Sequence, residues 1–396
     1  MNSRFGNSPA WFPRRNVNLI VIALLVLTFT ARLMFPSLNS LCLYGVTPLL
    51  FVWSIFTNPA TLKNKYIIIY TILLLWIFVT VGFATNLQIA VSTFKTIIGG
   101  YVMSILFYSL VIRRDSEYDW WLLFCYILLL IVSIYYLNTS GDFDIDVSSE
   151  RLDNETVNAN TLAYYLFYAT IANSLMNWGA RKTKKILTVA VDVFLVLVVL
   201  WLSIMTASRQ LLVVVLPFIL FSLVFKLMDG ANIYQKVMWI GIITMAAILM
   251  MAQFTSTIEG SYLQQRMEID VQEDSRMLLL EDAINVGLEH PVLGVGPGNF
   301  VLYSNDGGFS HCSYTELFAC SGFFAMALFV LMTLRFICEQ YTRYKKTHDK
   351  LFLYLFVVAL AWAVYNVLYV FYLAPMLIAF LFLLVGYSDK FYYRRL

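Results

Sequence analysis

The chain is a succession of apolar runs, most of them long enough to cross the roughly 30 Å of hydrocarbon in a bilayer. Twelve can be marked off, at 17–34, 38–57, 66–84, 88–112, 119–137, 159–178, 185–206, 209–227, 235–253, 311–334, 351–369 and 371–387. Only 13% of the residues are charged, about half the share found in soluble domains. In lipid a run of this kind satisfies its own backbone only as a helix. The expected fold is therefore an all-α polytopic membrane protein of about 12 transmembrane helices, forming a single transmembrane domain over 1–396. The turn between the last two runs, near Tyr372 and Pro375, is very short. The first run follows Arg14 and Arg15 without a small-x-small cleavage site, so it reads as a retained helix rather than a signal peptide.

Positive charge sets the orientation. With the N-terminus in the cytoplasm, alternation places 21 of the 27 lysines and arginines on the inner side, the bias expected of cytoplasmic loops. Both termini are then cytoplasmic. The six remaining cations are Arg32, Lys95, Arg151, Arg209, Arg266 and Arg276. Two outer loops are long. The first, 138–159, is acidic and carries Asn-x-Ser/Thr at Asn138 and Asn154. The second, 254–310, is the longest polar interval in the chain. Within it Ser275 to Glu289 reads as an amphipathic helix, with Met277, Leu280, Ile284 and Leu288 in one stripe. Asp274 or Ser275 can cap its start and Pro291 ends it. Such a helix lies along the membrane interface or packs on the bundle.

The outer arginines stand against the local electrostatic trend. Arg209 follows Ser208 at the start of the eighth run, and Arg276 follows Ser275 at the start of the loop helix. A cation in a first helical turn opposes the helix dipole, at about 0.3–1 kcal/mol. The free N–H groups there favour an anion, and a guanidinium beside them suits a bidentate phosphate. The competing reading is pairing with Glu281 or Asp282. His311 opens the tenth run, where a helix N-terminus favours the neutral, base-competent ring. Glu316 follows closely enough to orient it or to bind a hydroxyl.

Other residues are weaker candidates. Lys95 sits about 10 Å into the fourth run, as either a functional charge or a snorkelling one. Asp192 reads as a helix–helix partner, His290 as a partner of a helix C-terminus, and His348 as solvated. GVGPGNF, from Gly294 to Phe300, is neither a dinucleotide fingerprint nor a phosphate loop with Lys-Ser/Thr. It reads as a tight turn, with a backbone nest for an oxyanion as the alternative. Cys312 and Cys320, roughly 12 Å apart along a helix, are too distant for a disulfide. The sequence has no metal-ligand spacing, no cofactor motif and no nucleic-acid signature.

Three blocks resemble the O-antigen ligase/O-antigen polymerase superfamily of bacterial envelopes. TASRQLL (Thr206 to Leu212) resembles its small-residue-Ser-Arg turn. SRMLLLEDAINVGLEHPVLGVGPGNF (Ser275 to Phe300) resembles its Arg-helix-(D/E)HP-x-x-G-x-G block. SHCSYTELFACSG (Ser310 to Gly322) resembles its histidine block with a downstream glycine. The resemblance implies a layout similar to C-type glycosyltransferases and a metal-independent, inverting glycosyl transfer without a cofactor. The donor would be an undecaprenyl-diphosphate-linked glycan, and the acceptor a glycan or lipid A core. The reaction would take place on the outer face of the bacterial cytoplasmic membrane, with a chain-length regulator as a further partner. Carried over, His311 is the acceptor-activating base, Arg209 and Arg276 bind the donor diphosphate, and Glu316, Lys95 and Arg266 are supporting candidates. Gly322 is placed as in the ligases. Cys312 stands where they have Asn, Ser or Gln, and Ala325 where Gly, Thr or Tyr is usual, which tilts the reading to a polymerase of repeat units. A transporter or flippase would also suit twelve spans, but transporters gather polar groups at the midplane, and here they gather at one face. A non-catalytic membrane scaffold is the remaining alternative.

Overall fold

The computed structural model describes residues 45–112, 159–175, 185–206, 208–229, 231–242, 244–245, 259, 264 and 275–395. Among them there are helices and turns and no strand. Six helical segments are long and apolar enough to cross a membrane, beginning at Leu87, Ile186, Leu211, Ser313, Lys350 and Pro375. The expected runs at 17–34 and 119–137 lie outside the described residues, as do the acidic loop up to 158 and Arg266. The chain divides into two compact units, one of Met1–Glu117 with Ser275–Leu396 and one of Tyr118–Asp274.

The first unit contains α1 (Thr47–Thr57), α2 (Lys65–Val81), α3 (Leu87–Ile112), α7 (Ser275–Glu289), α8 (Ser313–Thr347), α9 (Lys350–Leu368) and α10 (Pro375–Arg395). Its interior is α10, which is buried along most of its length. The most extensive packing in the unit is α10 on α3, and glycines permit it. A Cβ on Gly100 of α3 would stand 3.0 Å from Ile378 and 3.4 Å from the Pro375 Cα. A Cβ on Gly386 of α10 would meet Tyr108 at 3.3 Å. Small residues at such crossings let helices approach where lipid gives no hydrophobic drive. The short turn expected before Pro375 is a 3-10 turn, Phe371–Leu373, and Pro375 begins α10, the position where a missing N–H costs nothing.

One end of this unit is tied by charge. Asn64 caps α2 by accepting from the Tyr66 N–H, and its amide donates to Asp389 of α10 at 3.0 Å. Tyr108 of α3 donates to the same carboxylate at 2.9 Å. Lys65 pairs with Glu339 of α8 at 2.5 Å, and Tyr66 donates to Glu339. Arg343 of α8 pairs with both Glu339 and Asp389 and donates to Ser388 at 2.6 Å. One guanidinium thus joins two carboxylates from two helices, and four helices meet at it. The sequence reading places all these groups at the cytoplasmic end.

The tenth run was expected over 311–334, whereas α8 has 35 residues and continues to Thr347. The charged stretch from Arg335 stays helical because Arg343, Glu339 and Gln340 are bonded on its inward face. His348, in the left-handed region at φ 50°, ends the helix. Asp349 then caps α9.

The second unit contains α4 (Ala159–Leu175), α5 (Lys185–Thr206) and α6 (Leu216–Met228), with a π-helical turn, Leu211–Val215, leading into α6. Asp192 is a helix–helix partner, as read. Its carboxylate meets Lys226 of α6 at 2.6 Å with both side chains almost wholly buried, and Asn173 of α4 donates to it. A buried pair broken from one side leaves an uncompensated charge, at about 3–5 kcal/mol.

By the same reasoning, Arg343→Ala should take the guanidinium from Asp389 and leave Glu339 with Lys65 alone as its cation. We expect it to lower the thermal unfolding temperature of the detergent-solubilised protein clearly more than Arg335→Ala, whose side chain is exposed on the same helix.

Candidate active site

The opposite end of the first unit is built around a break in α8. Nine residues into the helix, Gly322 takes φ 78°, ψ 177°, a conformation open almost only to glycine. The break removes the helical partners of successive carbonyls, and each finds another donor. The Val295 N–H donates to Ala319 O at 2.9 Å and the Gly296 N–H to Cys320 O at 2.8 Å. The Trp76 indole of α2 donates to Ser321 O at 2.9 Å. In return the Phe323 N–H donates to Pro291 O at 2.8 Å. The segment from Pro291 to Gly298 is thus laid into the gap in α8.

Three glycines make that insertion possible. Gly294, Gly296 and Gly298 have φ of 65°, 100° and 72°. A Cβ at Gly294 would lie 2.4 Å from the Cys320 carbonyl carbon, at Gly296 2.3 Å from the Ala84 Cβ, and at Gly298 2.2 Å from the Thr93 hydroxyl. The backbone N–H groups of Gly298 and Phe300 point at Cys320 Sγ. This corrects the nest reading of GVGPGNF. The N–H groups of Val295, Gly296, Gly298 and Phe300 face the broken helix rather than an external anion. The turn between α2 and α3 closes over the same segment. The Thr85 N–H donates to Val295 O at 3.0 Å, and the Asn86 N–H donates to the buried Asn299 side chain at 2.8 Å. Val295, Phe300, Ala319 and Cys320 form a small core with Ala283 and Val286 of α7.

The loop helix is present as α7, with Arg276 in its first turn and partly exposed. It packs on α8 through Ala283 and Val286, with Gly287 against the Phe318 ring, and Leu279 is buried as well. The stripe chosen from the sequence is not the packing one. Met277, Ile284 and Leu288 are exposed and Leu280 is half-buried. The helix therefore has an apolar arc wider than its contact with α8, and the sequence pattern marked the uncovered part.

After the 3-10 turn Asn299–Leu302, the chain runs back along α7. Asn305 donates to Asp282 through both its backbone and its amide, at 3.0–3.1 Å. Gly308 lies beside Leu279, one turn into the helix from Arg276. Three residues later the chain reaches His311, which is partly exposed and in the left-handed region at φ 56°. Cys312 is the N-cap of α8 without a side-chain cap bond. Ser313 anchors the start of α8 to the α9–α10 turn, donating to Tyr369 O at 2.9 Å and accepting from the Phe371 N–H at 2.8 Å.

Glu316 is wholly buried. Its Oε2 accepts from the Ser310 N–H at 2.8 Å, and Oε1 accepts weakly from the Cys320 thiol at 3.6 Å. The expectation that it might bind an external hydroxyl does not fit this enclosure, which leaves the orienting alternative. Cys312 and Cys320 are both free and buried. Lys95 is exposed, not buried, and lines an open groove of about 600 Å³ with Leu87, Gln88, Val91 and Ser92 on one face of α3. His290 is exposed with its ring edge-on to Tyr303, and His348 is exposed.

Arg276, His311, Glu316 and Lys95 thus belong to the first unit. Arg209 belongs to the second, in the helical residues that follow Ser208 and precede the π turn. What the sequence reading missed is the bond from Trp76 to the broken helix and the engagement of Thr85, Asn86 and Thr93 with the glycine-rich segment. No motif marks them, because their partners, backbone carbonyls, a glycine and the Asn299 side chain, lie more than 190 positions away.

Residues 193–330 match the O-antigen ligase family model, which supports the resemblance to the O-antigen ligase/polymerase superfamily. The match spans the Arg209 turn, α7, the glycine-rich segment, His311 and the break at Gly322. No curated protein matches the chain.

Gly322→Ala should combine a forbidden backbone with a Cβ only 2.0 Å from Val292 O. Gly307 also has positive φ, at 65°, but faces open space, so Gly307→Ala carries only the left-handed cost of about 1–2 kcal/mol. Thermal unfolding of the two variants in detergent should therefore separate them, with Gly322→Ala yielding little folded protein.

Proposed function

From a segment that carries the O-antigen ligase signature, we propose that this chain transfers a glycan from an undecaprenyl-diphosphate carrier to an acceptor hydroxyl, at the outer face of the bacterial cytoplasmic membrane. The observation that carries the reading is His311, presented partly exposed on a left-handed turn at the mouth of α8, on a loop that has just run back along α7 toward the Arg276 end. In this reading both termini face the cytoplasm, and the inner end is the one tied by Arg343.

The chemistry asks for two things. A diphosphate leaves readily when its charge is held, and guanidinium groups with helix N-termini hold it electrostatically. Arg276 and Arg209 are proposed for that role. The acceptor must lose a proton as its oxygen attacks, and His311 is proposed as the general base. The acceptor oxygen forms a bond to the anomeric carbon, the bond from that carbon to the phosphate oxygen breaks with its electron pair on the diphosphate, and the proton goes to the imidazole. Attack opposite the leaving group inverts the anomeric centre. Lys95 is proposed as a supporting cation at the outer end of α3, and a chain-length regulator as a further partner.

The acceptor in our reading is another repeat unit, so that the enzyme polymerises an O-antigen, capsule or exopolysaccharide. A second reading, transfer to lipid A core, is favoured by the ligase description of the matched family. Deleting the gene distinguishes them on a glycan gel. Loss of polymerisation leaves single repeat units on the final acceptor, whereas loss of ligation leaves long chains on the carrier lipid.

His311→Ala and Arg276→Ala should each abolish transfer, by 100-fold or more for loss of a base or a charge clamp, on the order of effects seen for such groups, with membrane protein levels unchanged. Long-chain product persisting in both variants would remove the site. Transfer in membranes treated with a chelator should continue at the untreated rate. Loss of activity that a divalent ion restores would instead show a metal requirement.

A further inference from the structure

The turn that carries His311 has a support that the proposed chemistry does not itself use. The left-handed backbone of a non-glycine residue costs about 1–2 kcal/mol, and such a residue persists where its surroundings over-determine it. On one side of His311 is Ser310, and on the other Cys312. The Ser310 N–H is held by Glu316 Oε2 at 2.8 Å. The Ser310 hydroxyl donates to Cys312 O at 3.0 Å and also lies 3.3 Å from the Cys312 N–H. Thr315 adds a donor to the same hydroxyl at 3.3 Å. Cys312 occupies the N-cap but makes no side-chain cap bond, a place where Ser, Thr, Asp or Asn would ordinarily fix the chain entry. Fixing the entry falls instead to a carboxylate one turn inside the helix, reaching back past the cap to Ser310.

That carboxylate has no exposure of its own and no cationic partner among the ion pairs of the described residues. Its partners are the Ser310 N–H and hydroxyl and, more weakly, the Cys320 thiol. Cys320 in turn sits where the glycine-rich segment enters the break in α8. Glu316 therefore links the two backbone features that define this end of the unit, the break at Gly322 and the left-handed turn at His311.

We infer that Glu316 is a positioning residue for His311: it locks the 310–312 turn so that the imidazole is held ready for the acceptor, and it acts through the backbone rather than on the substrate. The inference rests on His311 being the base. A small misplacement of a reacting group can cost about 100-fold in rate, and that is the size of loss expected when the lock is removed.

The test uses the full-length enzyme in detergent or liposomes. Its donor is the carrier-lipid-linked glycan extracted from cells lacking the gene. Glu316→Ala should lower kcat by about 100-fold with the donor KM unchanged. Glu316→Gln retains an acceptor for the Ser310 N–H and should stay within a few-fold of the parent. Ser310→Ala, which loses only the hydroxyl contacts, should fall by about tenfold, and it carries the test if Glu316→Ala does not fold. In a His311→Ala background, Glu316→Ala should cause no further loss. If His311→Ala is inactive while Glu316→Ala, or Ser310→Ala in its place, keeps the parental kcat, the positioning role is overturned and the base survives. A raised donor KM at unchanged kcat would overturn it as well. An active His311→Ala removes the base reading itself.

Discussion

A break in a long helix obliges the protein to find partners for the carbonyls it frees. In water this is a minor matter. Next to lipid each unsatisfied group costs several kcal/mol, so the partners have to be built in. At Gly322 the bonds come from two stretches of sequence: the Pro291–Gly298 segment, whose Val295 and Gly296 N–H groups donate and whose Pro291 accepts in return from Phe323, and the Trp76 indole. Most of the proposed active end follows from that requirement. The glycine-rich segment must lie close to α8, the α2–α3 turn closes over it, and the loop that returns along α7 delivers His311 to the mouth of the same helix.

The two ends of the first unit use different physics. The end tied by Arg343 is held by a buried network in which that residue joins Glu339 and Asp389, with Asn64, Tyr108 and Ser388 filling the remaining bonding positions. The end at the Gly322 break is held by backbone bonds and close glycine packing. Lys95 is exposed and Arg276 partly exposed.

The helical class, and the places of α2, α3, α5 and α9 to within a few residues, were legible in the sequence, because hydropathy in lipid leaves a chain few choices, whereas α10, expected over 371–387, runs from Pro375 to Arg395. The first turns holding Arg209 and Arg276 were legible too, from the Ser-Arg pairs. The length of α8 was not, since its polar end is stabilised by Asp389, far away in sequence. The face of α7 was misjudged for a related reason. Periodicity finds an apolar arc, but which part of it is covered depends on Phe318 and on the glycine at 287. GVGPGNF was correctly a turn. Its purpose was invisible, because the carbonyls it serves belong to a helix whose break is marked only by one glycine. Glu316 drew notice as a neighbour of the histidine, and only its enclosure and its bond to Ser310 distinguish a support from a ligand.

The central position of α10 has a consequence for how the protein is made. Its long contact with α3 joins residues such as Tyr108 and Asp389, which are 281 positions apart. During synthesis α3 enters the membrane long before its partner exists. The gap is occupied by an entire second unit, with its own buried ion pair between Asp192 and Lys226 to hold it together. The groove on α3 that awaits α10, including the bare strip at Gly100, must stay open to lipid for that interval. Assembly of the first unit is thus a late event, completed only after the ribosome has passed every residue of the second unit and reached α10.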